Sequence, residues 1–211
     1  RLVLRPGTVD EVSAIMALAQ ETGTPIVPQG GNTGLVGAQS PRSEAEILLS
    51  LSRLDRIRDV DPAGRTMVVE GGVVLQKAQE AAAEAGLLFP LSLGSEGSCE
   101  IGGNLASNAG GTNVLAYGNA RELCLGIEAV LPGGEIFHGL RRLKKDNRGY
   151  DLKDLLIGSE GTLAVITAAV LKLHPKPTAS GDSAGPVLAE PKARRGAPKR
   201  LSSPAKPGFA S

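Results

Sequence analysis

The chain has 211 residues, with 23 Lys/Arg against 22 Asp/Glu, 28 Gly, 14 Pro, 41% hydrophobic residues and only 2% aromatic ones. Glycine stands at about twice its usual ~7% share. So few aromatics argue against a base-stacking nucleic-acid platform, and the hydrophobic content is too high for a wholly disordered chain. No apolar run approaches the ~18 residues of a membrane span and no signal-peptide pattern opens the chain, so the expectation is a soluble protein with no membrane span and no nucleic-acid partner.

In chain order, Leu2–Leu4 reads as a short extended run. Thr8 and Glu11 form a T-x-x-E capping box that starts a helix. Val12, Ile15, Met16 and Ala19 share one face of it, and Gly23 ends it. Ile26 and Val27 suit a buried strand leading into a loop from Pro28 to Gly37. Strands follow at Ile47–Leu51 and Met67–Glu70, then a helix over roughly Val74–Ala85 stopped by Gly86. Gly94–Gly118 reads as one long glycine-rich loop. Gly126–Leu131 and Glu135–His138 flank Pro132-Gly133-Gly134, a hairpin signature. A short helix near Leu152–Leu156 precedes a last long strand over Thr162–Leu173. A β-α-β start and antiparallel pairing later place the fold in the α+β or mixed α/β class, with two subdomains.

Beyond that point the composition changes. Residues 175–211 hold seven of the 14 prolines and seven Lys/Arg against two acids, which leaves the first 174 residues with 16 basic and 20 acidic side chains. A basic Pro/Ala/Ser-rich segment buries too little apolar surface to order itself. The expected division is therefore a domain over 1–175 and a disordered tail over 176–211. The start at Arg1 rather than Met suits a processed or truncated chain. Cys99 and Cys124 give neither a disulfide framework nor a metal spacing, which suits a reducing, cytoplasmic setting.

The glycine clusters carry the functional signal. A loop longer than ~15 residues inside a compact domain is uncommon unless it serves a function. Glycine lets main chain approach a ligand closely, and the interleaved Ser and Asn add small hydrogen-bonding groups. The cluster Gln29-Gly30-Gly31-Asn32-Thr33-Gly34-Leu35-Val36-Gly37 follows a strand and contains no Lys or Arg. Successive amides in such a turn can hold an anion without a formal positive charge, which favours a diphosphate over a metal-bound triphosphate. There is no Gly-Lys pair for a P-loop and no G-x-G-x-x-G, and His138 and His174 stand alone. Loops that need glycine for architecture alone remain the competing reading.

Five blocks in order carry a family resemblance: Pro28–Gly37; Pro90 with Gly97–Asn104; Asn108–Gly111; Lys145–Leu152; and Ile157–Leu163. Across residues 1–175 the chain resembles the FAD-binding domain of the vanillyl-alcohol oxidase / p-cresol methylhydroxylase superfamily. Within it, the likeness is to the branch of D-lactate, glycolate and D-2-hydroxyglutarate dehydrogenases. The resemblance implies an α+β fold of two subdomains with FAD extended between them. It places the pyrophosphate on Gly30, Gly31, Asn32, Thr33, Gly34, Leu35, Val36 and Gly37, with Pro90, Gly94 and Ser95 lining the channel. Ser98, Ile101, Gly102, Gly103, Asn104, Ser107, Asn108 and Gly110 follow the pyrophosphate, ribityl chain and flavin, with Gly111, Tyr117 and Gly118 nearby. Glu160, Gly161 and Ile166 close over the adenosine half. The first cluster has no His or Cys where covalent members tether the ring, so noncovalent FAD is implied.

The implied function is that of a flavoprotein oxidoreductase acting on a small-molecule D-2-hydroxy acid and passing electrons to an unknown acceptor, with a mitochondrial-matrix location if the source is eukaryotic. The family's substrate domain, with its histidines, metal ligands and carboxylate-binding arginine, has no counterpart after about Pro177. No catalytic or metal-binding residue is therefore assigned, and the chain alone is expected to turn over little or no substrate. Ala164, where relatives often have glycine, and Arg148, where several have a small residue, depart from the pattern. The alternatives are a non-catalytic flavin-binding fragment and an FAD- and NADPH-dependent enolpyruvyl-sugar reductase.

Overall fold

The computed structural model describes residues 2–177. Strand β1 (Val3–Leu4) leads to helix α1 (Val9–Thr22), whose N-cap Thr8 accepts a hydrogen bond from the Glu11 amide at 3.2 Å. The box is not closed in the usual reciprocal way, because the Glu11 carboxylate accepts from the Gly7 amide at 2.6 Å, one residue further back. Val12 and Ala19 are buried on the expected face, and Ile15 and Met16 pack beside Val12. Strands β2 (Ile26–Gln29) and β3 (Ile47–Ser50) complete a parallel three-stranded sheet in the order β1-β3-β2. This is the predicted β-α-β unit.

Strands β4 (Ile57–Asp61) and β5 (Thr66–Glu70) begin a second sheet. Helix α2 (Leu75–Glu84) and the two-residue strand β6 (Leu87–Leu88) follow. The stretch expected to be one long loop contains two short helices, α3 (Ile101–Ala106) and α4 (Val114–Tyr117). Its glycines lower helix propensity, but in α3 they permit close packing instead. The Gly102 amide donates to the Gly71 carbonyl at 2.7 Å, and a Cβ on Gly102 would meet the carbonyl oxygens of Gly71 and Ile166 at 3.0 Å. Glycine is required there because helix and sheet touch backbone to backbone.

Strands β7 (Cys124–Val130) and β8 (Ile136–Gly139) form the expected hairpin. Helix α5 (Leu152–Leu156), strand β9 (Val165–Lys172) and strand β10 (His174–Pro175) end the described chain, with β10 pairing with β6. The second sheet is antiparallel throughout, in the order β4-β5-β9-β7-β8. Strands β4, β6 and β10 were not expected from the sequence. The tail expected over 176–211 lies, from 178 onward, outside the described residues.

Two apolar clusters hold these parts together. The larger one packs α2 and α3 against the antiparallel sheet and includes Met67, Leu75, Ile101, Leu105, Ile127 and Leu171. The smaller joins Val12 of α1 to Leu49, Leu51 and Leu54, and takes Val130 and Val165 from the antiparallel sheet. Each fully buried side chain of this kind contributes roughly 1.5–3 kcal/mol relative to exposure. Val130 and Val165 thus weld the two sheets. Ser13 of α1 adds a 2.6 Å hydrogen bond to the Gly134 carbonyl in the β7–β8 turn.

A buried ionic network crosses the antiparallel sheet. Glu70 is fully buried and accepts from Arg56 at 2.8 Å and from Arg58 at 3.1 Å. Arg58 also bonds Glu128 at 3.1 Å, and the Thr167 hydroxyl bonds the same Glu128 oxygen at 3.1 Å. Burial pushes the Glu70 carboxyl up, but the hydrogen bonds and charges of the two arginines overcome it and hold the group below its ordinary value.

Candidate functional site

The strand β2 ends at Gln29 and delivers the chain into the loop 30–39, which faces the N-terminal end of α3. Between them opens a cleft of about 890 Å³ including its mouth, floored by Ala164, Val165 and Ile166 at the start of β9 and bordered by Glu160 and Gly161.

The loop is built as a row of free donors. Among the described residues, the amide N–H groups of Gly30, Gly31, Asn32, Thr33 and Gly34 have no protein partner. Asn32 sits at φ 55°, a left-handed step of the kind that turns successive N–H groups toward one side. Residues 28–41 carry no charged side chain. Gly31 is where the two glycine clusters touch, for a Cβ there would overlap the Ser98 carbonyl oxygen and stand 2.9 Å from Cys99 Cα. The loop is braced from behind by two glutamines. Gln29 Nε2 donates to the Gln39 carbonyl at 3.0 Å, and Gln39 Nε2 donates to the Gly34 carbonyl at 2.8 Å.

The opposite wall supplies side chains. Asn104 is buried, with its Nδ2 donor unpartnered among the described residues. Glu100 is likewise buried, its Oε2 is unpartnered, and burial pushes its carboxyl up to about 7. Unsatisfied buried polar atoms are costly and uncommon in native proteins. Two of them on one wall of a cleft, facing five free amides, mark a place shaped for a polar ligand.

Of the residues proposed from the sequence, Gly30, Gly31, Asn32, Thr33, Gly34, Val36, Gly102, Gly103, Asn104, Ser107, Glu160, Gly161 and Ile166 line this cleft. The others lie elsewhere around it. Ile101 points into the core, 1% exposed, while Leu35 is fully exposed beyond the loop. Asn108 uses its Oδ1 to accept from the Arg121 amide at 3.0 Å. Pro90 offers its carbonyl to Asn113, and Gly111 packs on Ser92. Tyr117 meets the ring of His174 edge-on, 4.9 Å between centroids. Gly94, Ser95, Ser98, Gly37, Gly110 and Gly118 do not line the cleft.

Sequence reasoning missed Gln29, Gln39, Cys99 and Glu100, all of which line it. Gln39 sits ten residues from Gln29 with no motif to flag it. Removing its amide in Gln39→Ala deletes the bond to Gly34 and loosens the amide row. A hydrogen bond of this kind is worth about 1 kcal/mol, so ligand affinity measured by calorimetry is expected to fall about fivefold, with little change in melting temperature.

Comparison with known proteins identifies the family and the fold. Residues 1–139 match the family model described as "FAD binding domain". The chain is 45% identical over 178 residues to a mitochondrial D-2-hydroxyglutarate dehydrogenase of Bos taurus, covering 84% of this chain and 32% of that protein. It is 44% identical over 178 residues to a D-2-hydroxyglutarate–pyruvate transhydrogenase of Saccharomyces cerevisiae, covering 84% of this chain and 36% of the relative. Among solved structures, an alkyldihydroxyacetonephosphate synthase superposes with a TM-score of 0.75 at 27% identity, over 84% of this chain and 32% of that one. The chain thus spans about a third of the length of the curated relatives it matches.

Proposed function

Because the chain belongs to the FAD-binding domain family, we propose that the cleft holds FAD noncovalently and that the chain is the FAD-binding part of a dehydrogenase oxidising a D-2-hydroxy acid of the lactate, glycolate or 2-hydroxyglutarate class. The observation that carries this reading is the row of five unpaired amides in a loop free of charge. Oriented main-chain dipoles bind a diphosphate through hydrogen bonds, and they are already in place before the ligand arrives.

The residues present fit the cofactor. Gly30 to Gly34 would receive the diphosphate, and Asn104 would lend its free Nδ2 to the same ligand or its ribityl chain. Gly102 and Gly103 keep that wall low, so that main chain rather than side chain faces the ligand. Ala164, Val165 and Ile166 provide an apolar floor that excludes water from beneath it. When bound, FAD supplies a two-electron acceptor for the hydrogen that leaves the hydroxy-bearing carbon. The groups that bind the substrate carboxylate and take the hydroxyl proton belong to the two thirds of the relatives that this chain does not span. If the source is eukaryotic, a mitochondrial location is in keeping with the name of the Bos taurus relative; among the described residues, no helix is long and apolar enough to cross a membrane.

The test is reconstitution. The purified chain is expected to bind FAD, to turn yellow, and to release the flavin on acid precipitation. It is expected to oxidise D-2-hydroxyglutarate or D-lactate at no more than trace rates, because a cofactor-binding part alone does not orient the substrate. Failure to retain FAD rejects the cofactor assignment; turnover at the rate of a full-length relative rejects the division of labour.

A further inference from the structure

Glu100 is an odd residue to find beside a row of anion-binding amides. It is 7% exposed, its Oε2 is sealed from solvent and has no partner among the described residues, and that oxygen lies 3.4 Å from where a Cβ of Gly30 would stand. Its backbone is pinned, by an isolated bridge to Val74 and by the Asn104 amide, which donates to its carbonyl at 2.9 Å. The backbone is thus fixed at the cleft wall, and the carboxyl it carries there is buried.

Among the described residues no cation neutralises it. Ahead of α1, Arg5 acts on it only from a distance and is itself bonded to Ser52 Oγ at 2.8 Å. After β3, Arg53 donates to the Arg5 carbonyl, while Asp55 opposes Arg5 and pairs loosely with Lys77 of α2. On β5, Glu70 is saturated by Arg56 and Arg58. The loop 28–41 and helix α3 carry no charge, and the approach to β9 brings only the exposed Glu160 at the rim.

An ionised carboxylate in that position would repel a diphosphate resting on Gly30 and its neighbours, and would itself compete for those amides. A neutral carboxyl has the opposite effect, because its O–H is a donor and a phosphate oxygen is an acceptor. Resting on the reading of the cleft as a diphosphate site, we infer that Glu100 enters the complex as its neutral acid and donates a hydrogen bond to a phosphate oxygen, so that ligand binding takes up one proton from solvent. The proton is added to Oε2; no other bond forms or breaks. Burial already pushes this carboxyl up to about 7, and a bound dianion nearby pushes it higher. Only the protonated fraction of the free chain is then competent to bind, and apparent affinity falls by that fraction, roughly tenfold per pH unit above the midpoint.

The experiment is titration of the 211-residue chain with FAD between pH 6 and 9, followed by flavin fluorescence, together with calorimetry near pH 8 in Hepes and in Tris. These buffers differ in ionisation enthalpy, so the difference counts protons. The wild-type Kd is expected to rise about 50-fold from pH 6.5 to 9 with an uptake close to one proton. Glu100→Gln keeps the shape and a donor without the charge. It is expected to bind with less than threefold change over the same range and no proton uptake, and at pH 9 at least tenfold more tightly than wild type. FAD binding with no proton uptake and a flat pH profile in the wild type overturns the inference and leaves the cofactor reading intact; an unchanged pH slope in Glu100→Gln overturns it as well. No FAD binding at any pH overturns both. The wild-type proton count decides even where the variant is too unstable to purify.

Discussion

Gly31→Ala is expected to weaken FAD binding at least 100-fold, about 3 kcal/mol. The added Cβ meets the carbonyl oxygen of Ser98 and the Cα of Cys99, which are backbone atoms flanked by the pinned start of α3. Neither can rotate away as a side chain would, so the loop 30–34 must lift off the 98–99 segment. Its amides then lose their common aim, and the cleft widens where the diphosphate would sit. Flavin fluorescence titration reads the affinity and a thermal melt reads the fold. Gly94→Ala, at a position with open space around it, is the control and should melt as wild type does. Wild-type affinity in Gly31→Ala would show that the contact between the two glycine clusters plays no part in holding the ligand.

Arg58→Met carries the largest expected cost in stability. It leaves Glu70 with Arg56 alone and Glu128 with only Thr167, two carboxylates that are fully or almost fully buried. Removing one partner of a buried ion pair typically costs about 3–5 kcal/mol, which for a domain of this size lowers the melting temperature by roughly 10 °C. The pH dependence has a definite sign. In the wild type Glu70 is held below its ordinary value, so its contribution is present above about pH 4.5 and is lost as pH falls through the folded value. In the variant Glu70 keeps only Arg56 against its burial, so that contribution is smaller. The deficit of Arg58→Met relative to wild type should therefore shrink as pH falls below about 4.5. A deficit that stays constant or grows on acidification would mean that lost packing, and not the uncompensated carboxylate, accounts for the cost.

The parts of this fold that were legible are those with local signals. Thr8 and Gly23 bracket α1, Gly86 stops α2, and Pro132-Gly133-Gly134 turns β7 into β8. Strand β4 was hidden because its residues read Ile-Arg-Asp-Val-Asp, a polar pattern that makes sense only when Glu70 and Glu128 are brought under Arg58. Helix α3 was hidden by its Gly-Gly pair, whose role is the contact with Gly71 and Ile166. In the cleft, glycine density pointed to the loop at 30–37, and the family motifs pointed to α3 and to residues 160–166. Gln39 and Glu100 escaped notice because their parts depend on which chain segment lies opposite, Gly34 for the one and Gly30 for the other.

Strand β9 is the last long strand in sequence, yet it occupies the middle of the five-stranded sheet, between β5 and β7. Its partner Glu70 pairs with Ala168, so this contact joins residues roughly 100 apart and costs loop-closure entropy before any pairing repays it. A chain still being synthesised, with residues 165–172 not yet available, holds two separate hairpins, β4–β5 and β7–β8, each with an open apolar edge facing the gap. Such edges are sites of intermolecular pairing. The sheet can therefore be completed only after residues 165–172 have been made, and until then the edges of β5 and β7 stand open to intermolecular pairing.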